Sequence, residues 1–575
     1  MPLSTNDVLR LIDKRWFLPF AIAVMCVLVI ILPLAVGGLH ASGDLTVYLS
    51  FAQEFRASFG SGDLFPSWTI DNLGYGSVGL RFYPPMAAFL TAVIQLVIRD
   101  WYYSIWVYFI IWQVVGCCGM YLLVSRFSNK RLGKIAAILY AVIPFPVAEI
   151  YQYSLYAEFA AGAIIPFCFY FTARILSERN WSNVIGLTVS LSALVLTHIP
   201  STLIAGIGLV LFVLFLVGRQ FIARSILQFA IAVAAALCAT AFYWVTLVSE
   251  IQWLKHNQEK YSTGMAGYQQ WLFPNMMGAA SVPGYMVPVF RNLDAIIILT
   301  MGFVIPYLIV IGVDRKFIRR DNARLHLAMA VVGLFGFFMS SRLSSWIWAQ
   351  FDVLQKIQFP WRWMTLSSVM CAALSVLSFT NAHKSFGKYR YFLTLFVVGL
   401  VSLVIVYDVR QSFGKLNTIS RTEFQEALDI GYNPVGTSFE AWWPVWAKGD
   451  ALKVADRVVA GGREYSVESW ERDRRVFDIE PGPQTEARIA TFYYPFWRAE
   501  VNGQQVEITP DDKGVITLPV GPEHERVDLH FNEPPKNRAA VWLSGFTWTL
   551  LMLLLAIGLI KNRARMARNA GVTQW

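Results

Sequence analysis

The sequence predicts a polytopic α-helical membrane protein of about 12–13 spans, with a small external β-sandwich just before the last span. Three observations lead there. The 575-residue chain is 56% hydrophobic and only 15% charged. Its apolar runs repeatedly approach or exceed the ~20 residues that a helix needs to cross a bilayer. Between residues 409 and 538 that pattern stops, charge rises, and short strand-like runs separated by turn residues take over.

The first run, Trp16–Gly37, is too long for a signal-peptide core and lacks a small-residue cleavage site, so it reads as an uncleaved span. Further spans are expected near 101–124, 134–149, 157–176, 184–199, 200–217, 224–249, 293–313, 325–341, 364–381, 390–408 and 539–560. The stretch 84–98 opens with two prolines and is short for a crossing, so it reads as an interfacial or partly inserted helix.

A net charge of +10 raises the question of nucleic acid, and the placement of the charges answers it. Basic clusters at Arg10/Lys14/Arg15, Arg126/Lys130/Arg131/Lys134, Arg219/Arg224, Arg315/Lys316/Arg319/Arg320/Arg324, Lys384/Lys388/Arg390 and Lys561/Arg563/Arg565/Arg568 each border a span. Cytoplasmic loops carry such an excess. Placing every cluster inside gives a consistent thread with both termini cytoplasmic and no nucleic-acid partner. The six cysteines, Cys26, Cys117, Cys118, Cys168, Cys238 and Cys371, fall within spans and read as packing residues, without disulfide or metal-ligand spacing.

Three parts follow: a membrane domain at 1–408 with a first external loop at 38–100, a β-rich domain at 409–538, and a final span with a basic tail at 539–575. In the second part Arg488–Tyr494, Trp497–Val501, Gln504–Ile508, Gly514–Pro519 and Arg526–Phe531 are strand-like, with further strands expected from 453–460 and 474–480. Asn502-Gly503 between two of these runs signals a type I′ hairpin.

The unusual polar residues gather on the external side of this thread. Asp44 follows the first span, Glu149 and Glu158 flank the loop after 134–149, His198 sits in a short turn, and Arg342 and Arg362 occupy the loop after 325–341. Ionisable groups near a membrane are costly and often functional. No GxxxxGKS, HExxH, GxSxG or CxxC motif appears, which removes ATP-driven transport, zinc protease and Ser-hydrolase readings.

The stretch 43–85 is the most distinctive: an acid (Asp44), a helical run, Pro66 and Trp68, a Gly74-Tyr75-Gly76 turn, then Tyr83-Pro84-Pro85. This order resembles the first external loop of GT-C membrane glycosyltransferases. More closely it resembles a bacterial and archaeal membrane family labelled 6-pyruvoyl-tetrahydropterin-synthase-related. YSLYAEFAAG (153–162), THIPST (197–202), QFPWRW (358–363) and YYPFWRAEVNG (493–503) resemble further elements, the last shared with YfhO-like external β domains. The label implies no pterin chemistry, because nothing in the chain forms the soluble zinc site such an enzyme needs. One departure is Ser67 in LFPSW, where an Arg is common in the family; its loss shifts weight for a donor-phosphate contact to Arg81 or Arg362.

The resemblance implies a GT-C-like fold and an inverting glycosyltransferase at the outer face of a bacterial inner membrane. Its partners would be a polyprenyl-phosphate-linked sugar donor, a glycan, lipid-linked or protein acceptor, and membrane lipids. Asp44 would be the general base, since a carboxylate can take the proton of an attacking hydroxyl; capping the helix that follows is the structural alternative. Glu158 would assist Asp44 or hold an acceptor hydroxyl or a divalent metal, against a plain first-turn carboxylate. His198 would contact phosphate or acceptor, against a packing role. Arg56, Arg81, Arg342 and Arg362 are the candidate donor clamps, with Arg362 preferred and interfacial snorkelling as the alternative. Trp68, Tyr75 and Tyr83 would stack on sugar rings, and the Trp442–Trp446 run would line an entrance or seat the β domain. No cofactor is assigned, and metal dependence stays open. The alternative function is a non-enzymatic lipid or glycan transporter, or an envelope assembly factor, on the same scaffold.

Overall fold

The computed structural model describes residues 11–40, 44–178, 180–216, 222–258, 267–281, 284–313, 323–385, 389–413, 418–429, 440–453 and 456–572. Arg10, Arg219, Lys388 and the basic residues at 315–320 lie outside them.

Among the described residues, seven helices are long and apolar enough to cross a membrane: Phe17–Gly37, Trp101–Phe127, Lys130–Tyr151, Tyr156–Ser177, Ile199–Leu216, Val287–Val310 and Pro535–Gly558. The bent pair Ala223–Ala239 and Ala241–Trp253 makes an eighth candidate, and Pro85–Ile98, Trp181–Thr197, Arg324–Ser340 and Leu395–Tyr407 are shorter apolar helices. With the helix Met364–Ser385, which is not among these candidates, each expected span has a helix at its place. Pro85–Ile98 has 14 residues, a rise of about 21 Å, which falls short of a ~30 Å hydrocarbon core. Arg99 ends it in the left-handed conformation, and Asp100 caps the next helix through the Tyr103 amide.

At two of the breaks within spans, other helices complete the broken ends. Pro144 forces Ile143 out of helical geometry and splits Lys130–Ala141 from Pro144–Tyr151. The carbonyl of Ala141 left over at that break accepts from Gln113 Nε2 at 3.0 Å. The second break, a 73° bend around Thr240, is covered by the last helix. Ser544 Oγ donates to the Cys238 carbonyl and accepts from the Phe242 amide, both at 3.0 Å, and Trp548 Nε1 donates to the Ala239 carbonyl at 3.0 Å. Helix ends at membrane depth need such partners because lipid offers none.

Basic residues from separate clusters meet at one end of the helices. Arg131 pairs with Asp13, Lys134 Nζ donates to the Lys14 carbonyl at 2.7 Å, and Arg126 pairs with Glu178 at 3.3 Å. Those contacts put the first two basic clusters at the same end of the helices.

A short antiparallel pair, β1 (Leu39–His40) and β2 (Thr418–Ile419), ties the end of the first span to the segment after Tyr389–Phe413. The remaining strands are β3 (Val458–Val459), β4 (Tyr465–Trp470), β5 (Arg474–Ile479), β6 (Thr485–Phe492), β7 (Trp497–Val501), β8 (Gln504–Val506), β9 (Thr509–Pro510), β10 (Val515–Val520) and β11 (Glu525–Phe531). They form two antiparallel sheets, ordered β3-β6-β10-β9 and β4-β5-β11-β7-β8, which is the expected small sandwich. Along β7, Trp497, Ala499 and Val501 point inward while Arg498 and Glu500 face out. Asn502 and Gly503 carry φ of 51° and 79°, the two positive values a type I′ turn requires. The core of this domain also holds Trp68, Tyr75, Val78 and Phe82 from the first loop, so loop and sandwich form one packed unit.

Candidate functional site

At the end of the helices away from the basic cluster, several of the expected residues converge. Asp44 immediately precedes the helix Leu45–Gly60 and makes no capping hydrogen bond with its side chain. Its carboxylate is therefore not spent on the helix end. The residue is exposed, yet burial raises its pKa and the Arg362 guanidinium opposes that rise. A carboxylate reachable by solvent but walled in by protein satisfies both observations.

Arg362 sits in the turn Pro360–Trp363 that opens the helix Met364–Ser385. Its Nε donates to Glu158 Oε2 at 3.2 Å and its Nη1 to the Ile357 carbonyl at 2.6 Å. Glu158 lies in the first turn of Tyr156–Ser177, where the helix dipole favours an anion. Thr365 Oγ1 donates to Glu158 Oε1 at 3.3 Å. Arg362 and Glu158 are 7% and 1% exposed. At that burial the pair persists because each charge answers the other and further hydrogen bonds complete the set.

Tyr83 is half-buried and feels the charges of Asp44, Arg362 and Glu158. Burial, with Asp44 next, pushes its phenol well up, so it stays a neutral hydrogen-bond donor. His198 is also within reach of Arg362's charge. It caps the helix Ile199–Leu216: its Nδ1 faces Ser201 Oγ at 2.7 Å and accepts from the Ser201 amide at 3.4 Å. That geometry puts the ring proton on Nε2, so the packing role and a free donor coexist in one residue.

Asp44, Tyr83, Glu158, His198 and Arg362 thus come together, whereas the other candidates go elsewhere. Arg81 is buried in an ion-pair network with Glu250, at 2.9 Å, and Glu533. Asn537 of the last helix donates to Glu250 at 2.7 Å, as does Tyr494. A guanidinium held by two carboxylates has nothing left for a donor phosphate, so the expected clamp role moves away from Arg81. Ser67, where the family commonly carries Arg, lies in the same network and contacts Glu533. Arg56 staples two helices through Gln95 at 2.8 Å, and Arg342 donates to the Pro274 carbonyl at 3.2 Å.

Trp68 and Tyr75 are 0% and 1% exposed, inside the sandwich core, which corrects the expectation that they stack on sugar. Trp68 packs against Trp497, and the Tyr75 hydroxyl accepts from Arg488 at 2.9 Å. Loop residues were drawn into the β domain because its open end offers more apolar surface than water does.

Four further residues join the site: Glu149 and Trp442, which stood out in the sequence, and His256 and Lys356, which did not. Glu149 lies beside Glu158 and Arg362, and neither of its buried oxygens has a hydrogen-bond partner of good geometry among the described residues. His256 feels both Arg362 and Lys356, and its pKa is lowered by burial first and those cations second. Trp442 packs on the His256 ring at 4.9 Å and on Tyr83 at 5.3 Å. Within the Trp442–Trp446 run, Trp443 belongs to the sandwich core while Trp442 packs on Tyr83 and His256. The available signal for Lys356 was its place two residues before the QFPWRW motif.

Solved structures similar to this chain include the Archaeoglobus fulgidus oligosaccharyltransferase tethered with an acceptor peptide, at TM-score 0.43 and 14% identity, covering 74% of this chain and 58% of that one. The archaeal oligosaccharyltransferase AglB from Archaeoglobus fulgidus in complex with an inhibitory peptide and a dolichol-phosphate is similar at TM-score 0.36 and 13% identity, covering 73% and 58%. ArnT from Cupriavidus metallidurans is similar at TM-score 0.35 and 14% identity, covering 63% and 76%. The chain thus spans just under three fifths of the oligosaccharyltransferase it matches. No curated protein matches it. Residues 80–415, more than half of the chain, match a family of membrane proteins. The chain belongs to that family, described as the 6-pyruvoyl-tetrahydropterin synthase related domain.

Proposed function

We propose that this protein is an inverting membrane glycosyltransferase that moves a sugar from a polyprenyl-phosphate donor to a glycan, lipid-linked or protein acceptor. The reaction would run at the outer face of a bacterial inner membrane. The observation that carries this reading is the placement of a solvent-reachable carboxylate, Asp44, within the field of the buried Arg362–Glu158 pair. A base must meet the acceptor hydroxyl, so it must be reachable; the groups that orient it must not move.

In this mechanism the acceptor oxygen attacks the anomeric carbon of the donor sugar. Its proton passes to Asp44 as the new bond forms. The bond from the anomeric carbon to phosphate breaks on the opposite face, and the electron pair leaves with polyprenyl phosphate. Arg362 keeps Asp44 ionised and ready, and Glu158 fixes Arg362. The Tyr83 hydroxyl and the His198 ring are hydrogen-bond donors for sugar hydroxyls.

The test is complementation of a deletion strain, with mass spectrometry of its lipid-linked sugars and surface glycans. Asp44→Asn should accumulate the same polyprenyl-phosphate sugar as the deletion while the protein level stays at wild type. Normal glycans in that variant would remove Asp44 as base. An unchanged lipid-sugar pool in the deletion itself would favour a non-enzymatic transporter or assembly factor.

A further inference from the structure

The donor reading above requires a positive charge that nothing in the protein already neutralises. Arg362 does not supply one: its Nε is held by Glu158 and its Nη1 by the Ile357 carbonyl. With its charge answered by Glu158, Arg362 leaves no free cation for an incoming phosphate anion.

Lys356 stands beside it. It precedes Ile357, whose carbonyl receives Arg362 Nη1 at 2.6 Å, so the lysine backbone is one residue from the guanidinium. Its side chain is exposed, and its ammonium has no ion pair or hydrogen bond among the described residues. Arg362 and Lys356 both act on His256, which puts the three in one neighbourhood. The Ile357 carbonyl contact fixes the turn that displays the lysine, and Gln358, at φ 67°, completes that turn.

At His256, a strand-like pairing brings in a wall. The His256 amide donates to the Ala441 carbonyl at 2.7 Å, the Lys255 amide to Trp443 at 3.0 Å, and the Val445 amide to Trp253 at 2.9 Å. These bonds set His256 against Trp442, and Trp442 against Tyr83. A flat aromatic beside hydroxyl-bonding groups suits a sugar ring.

We propose that Lys356 is the residue that receives the phosphate of the donor, with His256 and Trp442 forming the wall against which the attached sugar lies. The proposal rests on the donor reading and is testable apart from it. A plain solvated surface lysine is the competing description, and a conservative substitution separates the two.

The experiment uses the full chain in nanodiscs and measures binding of three probes: a long-chain polyprenyl monophosphate, the corresponding polyprenol, and inorganic phosphate as competitor. Lys356→Ala should weaken the polyprenyl monophosphate about tenfold, the size of one charge-assisted contact, with polyprenol binding and melting temperature unchanged. Lys356→Arg should restore most of the affinity. Competition by inorganic phosphate would identify the phosphate group alone as the ligand; failure to compete would identify the lipid-linked phosphate. Unchanged affinity in Lys356→Ala, no rescue by Arg, or an equal loss for polyprenol would each overturn the proposal. If Asp44→Asn keeps transfer while Lys356→Ala loses binding, the base assignment fails and the phosphate site stands. If Asp44→Asn loses transfer and Lys356→Ala binds normally, the reverse holds.

Discussion

Arg362 Nε and Glu158 Oε2 meet at 3.2 Å across 204 residues of chain, and both side chains are buried. This contact joins the helix Tyr156–Ser177 to the turn that opens Met364–Ser385. Removing one partner strands the other charge. Glu158→Ala or Arg362→Ala should cost about 3–5 kcal/mol, while a Met–Met replacement of both should cost less than the sum of the two single changes. Thermal unfolding of the detergent-purified chain measures this, and additive losses would show that the pair is not coupled.

The pH dependence of transfer should report on Asp44. Burial raises its pKa, and Arg362 lowers it. The basic form is lost as pH falls through that raised value, so the acid limb of the rate profile lies above the ordinary carboxylate range. Arg362→Gln removes the opposing cation and should move the limb to higher pH. A limb that stays put or moves down would separate Arg362 from the base.

Asp71 offers a stability test in the same loop. Burial, with Glu54 next, pushes its pKa up to about 7. A raised carboxyl favours the folded state at low pH, and that contribution is lost as pH rises through the folded value. Melting temperature should therefore fall from about pH 4 to about pH 7 and then level, and Asp71→Asn should flatten the slope. An unaltered slope would place the titration on another group.

Arg81 is predicted to be structural. It ties the first loop to Glu250 and to Glu533 after the sandwich. Arg81→Ala should destabilise the protein by about 3 kcal/mol or more, and Arg81→Lys should rescue poorly because one ammonium cannot replace a fork. Polyprenyl monophosphate binding by the folded fraction should not change. Melting and limited proteolysis of the β domain follow the first effect, and a selective binding loss would return Arg81 to the site.

The bend at Thr240 depends on the last helix. Ser544→Ala leaves the Cys238 carbonyl and the Phe242 amide without the partner that served both. The expected loss is about 1–3 kcal/mol, read by melting, and a neutral result would mean that water or a neighbouring side chain takes over both groups.

Much of this protein was open to reading along the chain. Span positions follow from runs of apolar residues long enough for a bilayer, and the β7–β8 hairpin from Asn502-Gly503, because both are properties of neighbouring residues. Asp44, Glu158, His198 and Arg362 stood out for a similar local reason: each is a polar group beside an apolar run. Trp68, Tyr75 and Arg81 carried equally strong local signals and were drawn into the sandwich core and the ion-pair network instead. Lys356 and His256 carried no such signal, yet they lie beside Arg362, with Trp442 packed on the His256 ring.

The sequence by itself determined a membrane-spanning helical chain with a β domain before its last helix, and the short set of residues able to do chemistry at one end. Only the tertiary structure decided which of them meet. Arg362 finds Glu158, 204 positions away, while Arg81 finds Glu250, 169 away. Hydropathy and turn chemistry act between neighbours in the chain, whereas the choice of a buried charge's partner depends on how distant helices pack.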